Sequence, residues 1–298
     1  MRRVLKWIGI VLGGLLGLLL IAVTVLAMTG GSKLNKQYEI KPQPVTISEE
    51  TAVLERGEYL VSASCMGCHG DDLGGTAFFD DPAIGVIPAP NLTAGQGGAG
   101  AVYNNEDFVR AIRHGVDSEG KPLAIMPSRA YWHYSDEDLG AIIAYVKSVP
   151  SVDNDLGDKN IKLVGRLLIG AGMMDILGAE SIDHASPLPE AQEPMVNATY
   201  GKYVANTADC HACHGPSLAG AQAPEPGAPY SPNLTPNGNM NQWTTEEFLI
   251  VMRTGQTPDG RQLDPAFMPW KDYGRLSDDD LTALFLHLQS LPTAVAAE

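Results

Sequence analysis

The clearest pattern along the chain is an apolar run at its start. Ile8 to Met28 holds 21 residues without a charge and is preceded by Arg2, Arg3 and Lys6. At about 1.5 Å per helical residue, ~20 apolar residues cross a hydrocarbon core. A secretory signal has an apolar core of only about 7–15 residues. Length therefore favours a retained anchor over residues 1–32, although the small residues near Ala27 also suit a cleavage site. The leading basic residues place the N-terminus inside, so the chain beyond about residue 30 lies outside the cytoplasm.

Beyond the run, the pattern is helical. Leu139, Ile142, Ile143 and Val146 keep an i, i+3, i+4, i+7 stripe, and Leu281, Leu284, Phe285 and Leu288 repeat it. Ser135 with Asp138, and Ser277 with Asp280, have the spacing of an N-cap and an acid three residues on. Pro150 and Pro292 stop both helices. Further helices are predicted over 55–64, 105–114, 200–209 and 245–254. The loops between them, such as 95–100 and 224–232, are rich in Gly and Pro, and no β alternation is sustained.

These elements belong to a tandem repeat. Cys65-Met66-Gly67-Cys68-His69-Gly70 recurs as Cys210-His211-Ala212-Cys213-His214-Gly215. Pro90-Asn91-Leu92-Thr93 recurs at Pro232, Met126-Pro127 at Met268, and Ser135 to Leu139 at Ser277, always in the same order. The expected organisation is an anchor over 1–32, one all-α domain over 50–150, a linker over 151–195 and a second all-α domain over 196–298. Within the linker, 161–179 is apolar but interrupted by Lys162, Arg166 and Asp175, which argues against a second span. A packing helix and a membrane-surface helix both fit it.

Charge narrows the partners. Twenty Lys and Arg stand against 35 Asp and Glu, a formal charge of -15, and every acid lies beyond the anchor. Such a field repels nucleic acid and favours a partner with a basic docking patch.

The candidate chemistry is concentrated in four cysteines. All of them fall inside the two CxxCH motifs. Two thiols at that spacing form thioethers to the vinyl groups of one haem, and the next His is held beneath the iron. A zinc site recruits further ligands close by, whereas these pairs lie far apart in sequence. A thioredoxin-like motif needs a β-α unit, which is absent. The residues therefore predict two covalently bound haem c groups, through Cys65, Cys68 and His69, and through Cys210, Cys213 and His214.

The second axial ligand follows from the repeat. Met126, His114 and His133 are the candidates in the first copy; Met240, Met252, Met268, His211 and His287 are those in the second. Only Met126 and Met268 are equivalent, each before a Pro on a loop between predicted helices. A neutral, soft thioether favours Fe(II) and raises the potential. Met173, Met174, Met240 and Met252 read as core filler.

With these residues in view, both copies resemble class I c-type cytochromes, in which three main helices enclose one haem. The resemblance covers about 50–150 and 197–293. It implies that the carbonyls of Pro90 and Pro232 accept the ring N–H of His69 and His214, which fixes the tautomer. It also implies contact between the first and last helices of each domain. Ile143-Ala144-Tyr145 matches the family there, and Phe285-Leu286-His287 departs from it. Arg113 and Arg253 match each other and suit either a haem propionate or a solvated helix face.

The layout is similar to cytochrome subunits of bacterial periplasmic dehydrogenases, some of which carry three haems where this chain has two motifs. The expected function is electron transfer, with no catalytic residue, between a dehydrogenase or quinol-oxidising complex and a downstream acceptor or terminal oxidase. The setting is a single-pass membrane protein with its haem domains on the periplasmic or extracellular side. A dihaem peroxidase is the alternative, and a haem gas sensor is a more distant one. Both require an open iron, against which the paired methionines argue.

Overall fold

The structure is a computed structural model describing residues 2–223 and 227–293. The start of the predicted 224–232 loop and the end of the second domain, 294–298, lie outside the described residues. Helix α1 (Arg2–Leu34) contains the apolar run. Among the described residues it is the one helix long and apolar enough to cross a membrane, with a mean hydropathy of 2.8 over its most apolar stretch, none of which is buried.

The first domain contains α2 (Thr51–Ser64), α3 (Met66–His69), α4 (Asn105–His114), α5 (Ser128–Tyr131) and α6 (Asp136–Ser148). A short helix, α7 (Leu163–Gly170), lies in the linker. The second domain repeats the plan as α8 (Ala198–Thr207), α9 (Cys210–His214), α10 (Thr245–Thr254), α11 (Trp270–Tyr273) and α12 (Asp278–Ser290). The predicted helices are all present, with shifted ends. α2 begins at Thr51, a turn before Glu55. α8 stops at Thr207 because Asp209, at φ 55°, enters the left-handed region just before the second cysteine motif.

Local chemistry sets the helix boundaries. Ser135 and Ser277 accept from the backbone N–H of Asp138 and Asp280 as N-caps. Asn104 with Asp107, and Thr244 with Glu247, form reciprocal capping boxes at α4 and α10. The apolar stripes of α6 and α12 are buried, and they pack on α2 and α8 respectively. Gly57 and Gly201 permit that crossing: a Cβ on either would run into the carbonyl of Ala141 or Ala283. Tyr145 lies against Gly57, and His287 takes the same place against Gly201. The departure at Phe285-Leu286-His287 thus changes the side chain at the crossing while keeping the crossing itself.

A small amount of strand leaves no mark in the residue pattern. β1 (Thr76–Asp81), β2 (Gly85–Ala89) and β3 (Asn160–Ile161) form an antiparallel sheet, and β4 (Ala221–Gln222) pairs with β5 (Tyr230–Ser231). A register shift between Thr76 and Phe79 and the short strand lengths erase the period-two signal. The protein remains mainly helical.

The domains pack through a reciprocal exchange. Tyr59 on α2 donates to Asp280 Oδ2 at 2.5 Å and accepts from Ser277 N at 2.9 Å, at the start of α12. Its repeat equivalent Tyr203 on α8 donates to Asp138 Oδ2 at 2.6 Å and accepts from Ser135 N at 3.3 Å, at the start of α6. Each domain thus reaches into the other's helix cap, as across an approximate two-fold axis. Arg56 adds a fork of two 2.8 Å bonds to Asp138 on the first-domain side. One apolar core runs through both domains, with Tyr131, Tyr134, Tyr200 and Tyr203 at its centre.

The linker first runs along the first domain, where Asn91 Nδ2 donates to Val152 O at 2.6 Å. α7 then packs on α1, and Leu34, Ile87, Ile161, Ile169 and Leu177 form a second, smaller core. Met240 and Met252 are buried as expected of core filler. Met173 is not: it is 75% exposed, at a turn beyond α7 where no core side chains reach.

Candidate haem sites

The first site begins where α2 ends. Cys65 caps that helix, and its carbonyl accepts from Cys68 N and His69 N, which coils the motif into one turn. His69 is 6% exposed and hydrogen-bonds through Nδ1 to Pro90 O at 2.8 Å. With that nitrogen as donor, Nε2 keeps its lone pair for a metal. Burial lowers the His69 pKa, against the opposing pull of the Pro90 carbonyl, and so favours the neutral imidazole that iron binds.

Cys65, Cys68, His69, Pro90 and Met126 line a single cavity of about 300 Å³. Its other walls are mainly apolar, among them Phe108, Ile112, Ile142 and Val146. The donor set, thiol pair, buried imidazole and thioether around an apolar slot, fits a haem attached through its edge and ligated on both faces. Neither His114 nor His133 lines that cavity. Among the described residues no three His, Cys, Asp or Glu gather as a bare metal site. The cysteines form no disulfide. Burial pushes the thiols of Cys65 and Cys210 up to about 12, and that of Cys68 to about 11.

The second site repeats the buried imidazole and its hydrogen bond. His214 is 8% exposed and bonds through Nδ1 to Pro232 O at 2.9 Å. Burial again lowers its pKa. Met268 is half-buried against the core, and its N–H is fixed by Asp264 O at 2.9 Å. The other candidates lie elsewhere: His211 bonds to Pro216 O and Asn206 Oδ1, and His287 is part of the α8–α12 contact.

Arg113 and Arg253 make equivalent protein contacts in both copies, and Arg113 Nε is buried without a protein partner among the described residues. Arg113 donates to Asp136 Oδ1 and Tyr134 O, each at 2.8 Å. Arg253 donates to Asp278 Oδ1 at 2.6 Å and to Gly274 O. Each arginine ties its helix to the loop that carries the methionine toward the last helix. Two tyrosines escaped the sequence reading. Tyr131 and Tyr273 stand five residues after each methionine, and burial holds both phenols protonated beside the paired thiols. Tyr131 OH donates to Ser64 O at 2.5 Å. Aligning the two copies past Met-Pro would have shown them.

Ser64 and Asp209, the residues just before the two cysteine motifs, line one pocket between the domains, and the first attachment loop faces the second domain. The Asp272 carboxylate, from the second domain, lies 2.9 Å from where a Cβ on Gly67 would stand, and its field raises the Cys68 pKa after burial. Arg275 donates to Asp71 Oδ1 at 3.0 Å beside the first loop. Both cysteine motifs therefore border the interface held by Tyr59 and Tyr203.

Comparison with known proteins agrees with this geometry. Residues 52–146 match the family of cbb3-type cytochrome c oxidase subunit III, and residues 198–292 match the cytochrome c family. The chain is a tandem c-type cytochrome. Its two cytochrome domains imply haem c as the cofactor. The cytochrome is 26% identical to the fructose dehydrogenase cytochrome subunit of Gluconobacter japonicus, over 91% of this chain and 58% of that protein. It is 29% identical to the gluconate 2-dehydrogenase cytochrome c subunit of Pantoea cypripedii, over 83% of this chain and 61% of that protein. The alcohol dehydrogenase (quinone) cytochrome c subunit of Gluconacetobacter polyoxogenes is 25% identical over 83% of this chain and 58% of its own length. The cytochrome thus spans about three-fifths of the length of these relatives.

Proposed function

We propose that this cytochrome relays single electrons through two covalent haem c groups. One is held by Cys65, Cys68, His69 and Met126, the other by Cys210, Cys213, His214 and Met268. The observation that carries the reading is the reciprocal interface, which brings both haem-attachment loops to one seam. Haem supplies the one-electron chemistry; the protein orients and encloses it. Burial holds each imidazole neutral, the Pro90 and Pro232 carbonyls accept from Nδ1 and so leave Nε2 for the iron, and the apolar walls exclude water. A dehydrogenase, as the names of the relatives suggest, or a quinol-oxidising complex is the expected donor, and a downstream acceptor or terminal oxidase completes the chain of transfer. Helix α1 holds the protein in the membrane once, with both haem domains on the periplasmic or extracellular side.

Pulse reduction of the holoprotein tests the relay. The expected result is a redistribution of the electron between two haem signals at a rate independent of protein concentration. A redistribution that scales with concentration would mean transfer between molecules and would contradict the relay.

A further inference from the structure

α7 runs antiparallel to the anchor at backbone contact. A Cβ on Gly30 would run into the carbonyl of Arg166, and one on Gly170 into that of Leu26, four residues further toward the N-terminus. The contact leaves a stripe on α1: Val23, Leu26, Ala27, Gly30 and Leu34 are wholly or partly covered at helical spacing. Val23 lies five residues inside Met28, the end of the apolar run, so the linker descends about 7–8 Å below that end at 1.5 Å per residue.

What descends is apolar as far as Met174; the next residue, Asp175, pairs with Arg129 of the first domain at 3.0 Å. Beyond α7 the chain turns through Ala171, Gly172 and Met173, with Gly172 N bonded to Ile169 O at 3.1 Å and Met173 N to Leu168 O at 2.9 Å. The turn closes its own backbone bonds and is uncharged. Below Arg166, Leu167 and Leu168 on α7 are half-buried and Met173 is exposed, whereas the exposed Leu163 and Val164 lie on its domain side. The cations stand above the turn: Arg166 at the level of Gly30, with Lys33 and Lys162 nearer the domain. Apolar side chains below and basic ones above match acyl chains and lipid phosphates.

We infer that α7 and its turn form a membrane-dipping hairpin whose partner is the lipid bilayer, seated beside the anchor at the boundary between headgroups and acyl chains. This inference rests on α1 being a retained anchor and adds a second point of insertion. The hairpin also leads to the first haem site. Lys33 pairs with Glu180 at 2.9 Å, Ile125 N donates to Ile176 O at 2.7 Å, and Gly178 lies against the Met126 carbonyl. Depth in the membrane is thereby tied to the loop carrying the axial methionine.

Spin labels on the full holoprotein test this in phosphatidylcholine–phosphatidylglycerol vesicles, with the native cysteines held in thioethers. Labels are placed through Met173→Cys, Leu18→Cys on the anchor and Val102→Cys, a residue 76% exposed on the first domain. Each is assayed for collision with oxygen, which enters lipid, and with a water-soluble nickel chelate. The expected oxygen-to-nickel ratio at 173 is several-fold above that at 102 and below that at 18, which lies nearer the bilayer centre. A ratio at 173 equal to that at 102, with 18 in lipid, overturns the hairpin and leaves the anchor standing. Aqueous values at both 173 and 18 overturn the anchor and the hairpin together.

Discussion

The two cytochrome domains share a plan and differ in their surroundings. In the second domain the methionine loop is secured locally: Trp270 Nε1 donates to Leu263 O, and Asp264 O holds Met268 N. In the first, the residue before the methionine, Ile125, adopts φ 66°. That region is costly for a β-branched side chain. The linker compensates, with Ile176 O accepting from Ile125 N and Gly178 lying behind Met126. The first cavity is also walled by Phe78 and Ile87 from the longer hairpin, whereas β4 and β5 are two residues each. Duplication thus preserved the cysteine, histidine and methionine positions, and what packs around each copy sets it apart.

The harshest test of this comparison removes one site at a time. Cys65→Ala with Cys68→Ala, and separately Cys210→Ala with Cys213→Ala, should each leave one haem per chain by pyridine haemochrome assay. Either variant retaining two haems would break the assignment.

A milder perturbation separates the two halves of the reciprocal interface. Asp138→Ala strands Arg56, which is 23% exposed at its side chain, and removes the Tyr203 bond and the α6 contact together. Losing one partner of a largely buried ion pair costs about 3 kcal/mol or more. Asp280→Ala removes the Tyr59 bond with no arginine behind it, for about 1–2 kcal/mol. Chemical denaturation of both variants measures the gap, and equal losses would show that Arg56 contributes nothing.

A smaller effect depends on pH. His114, paired through Nδ1 with His184 Nδ1 at 3.0 Å, has its pKa lowered from 6.5 to about 4, chiefly by burial and then by His184, Arg113 and Arg110. The native state keeps it neutral where the unfolded chain takes up a proton. Its contribution is therefore complete above pH 6.5 and is lost as pH falls toward about 4. His114→Gln should flatten that part of the stability profile, read by thermal melts of the first haem's Soret band. The second domain, with Thr254 at the equivalent place, should show no such component.

The finest distinction concerns how readily each methionine lets go. Imidazole titrated against the oxidised protein should displace Met268 at several-fold lower concentration than Met126, because only the first loop is backed by the linker. Equal affinities would mean that the linker leaves the axial bond unaffected.

Much of this was legible in the sequence, for identifiable reasons. CxxCH is a covalent requirement, so both attachment sites are written in four contiguous residues or so, and the repeat singles out Met126 and Met268 from the other methionines. Helices with caps and stripes, such as α6 and α12, carry their signals locally. The tyrosine exchange was not legible because Tyr59 and Asp280 are 221 residues apart, and nothing near either one points to the other. The bulged hairpin hides its alternation, and Arg113 gives no local hint that Asp136 is its partner. Met173 looked like core filler because apolar character alone does not tell a protein core from exposure beside an anchor.

The most direct test of the account is the visible spectrum of the holoprotein, oxidised and reduced, before and after carbon monoxide. Two closed sites predict low-spin bands for two haems, a far-red sulfur–iron band of matching intensity in the oxidised form, and no response to carbon monoxide. A shift at either haem would mean an open iron, and the relay through two His/Met sites would have to be abandoned.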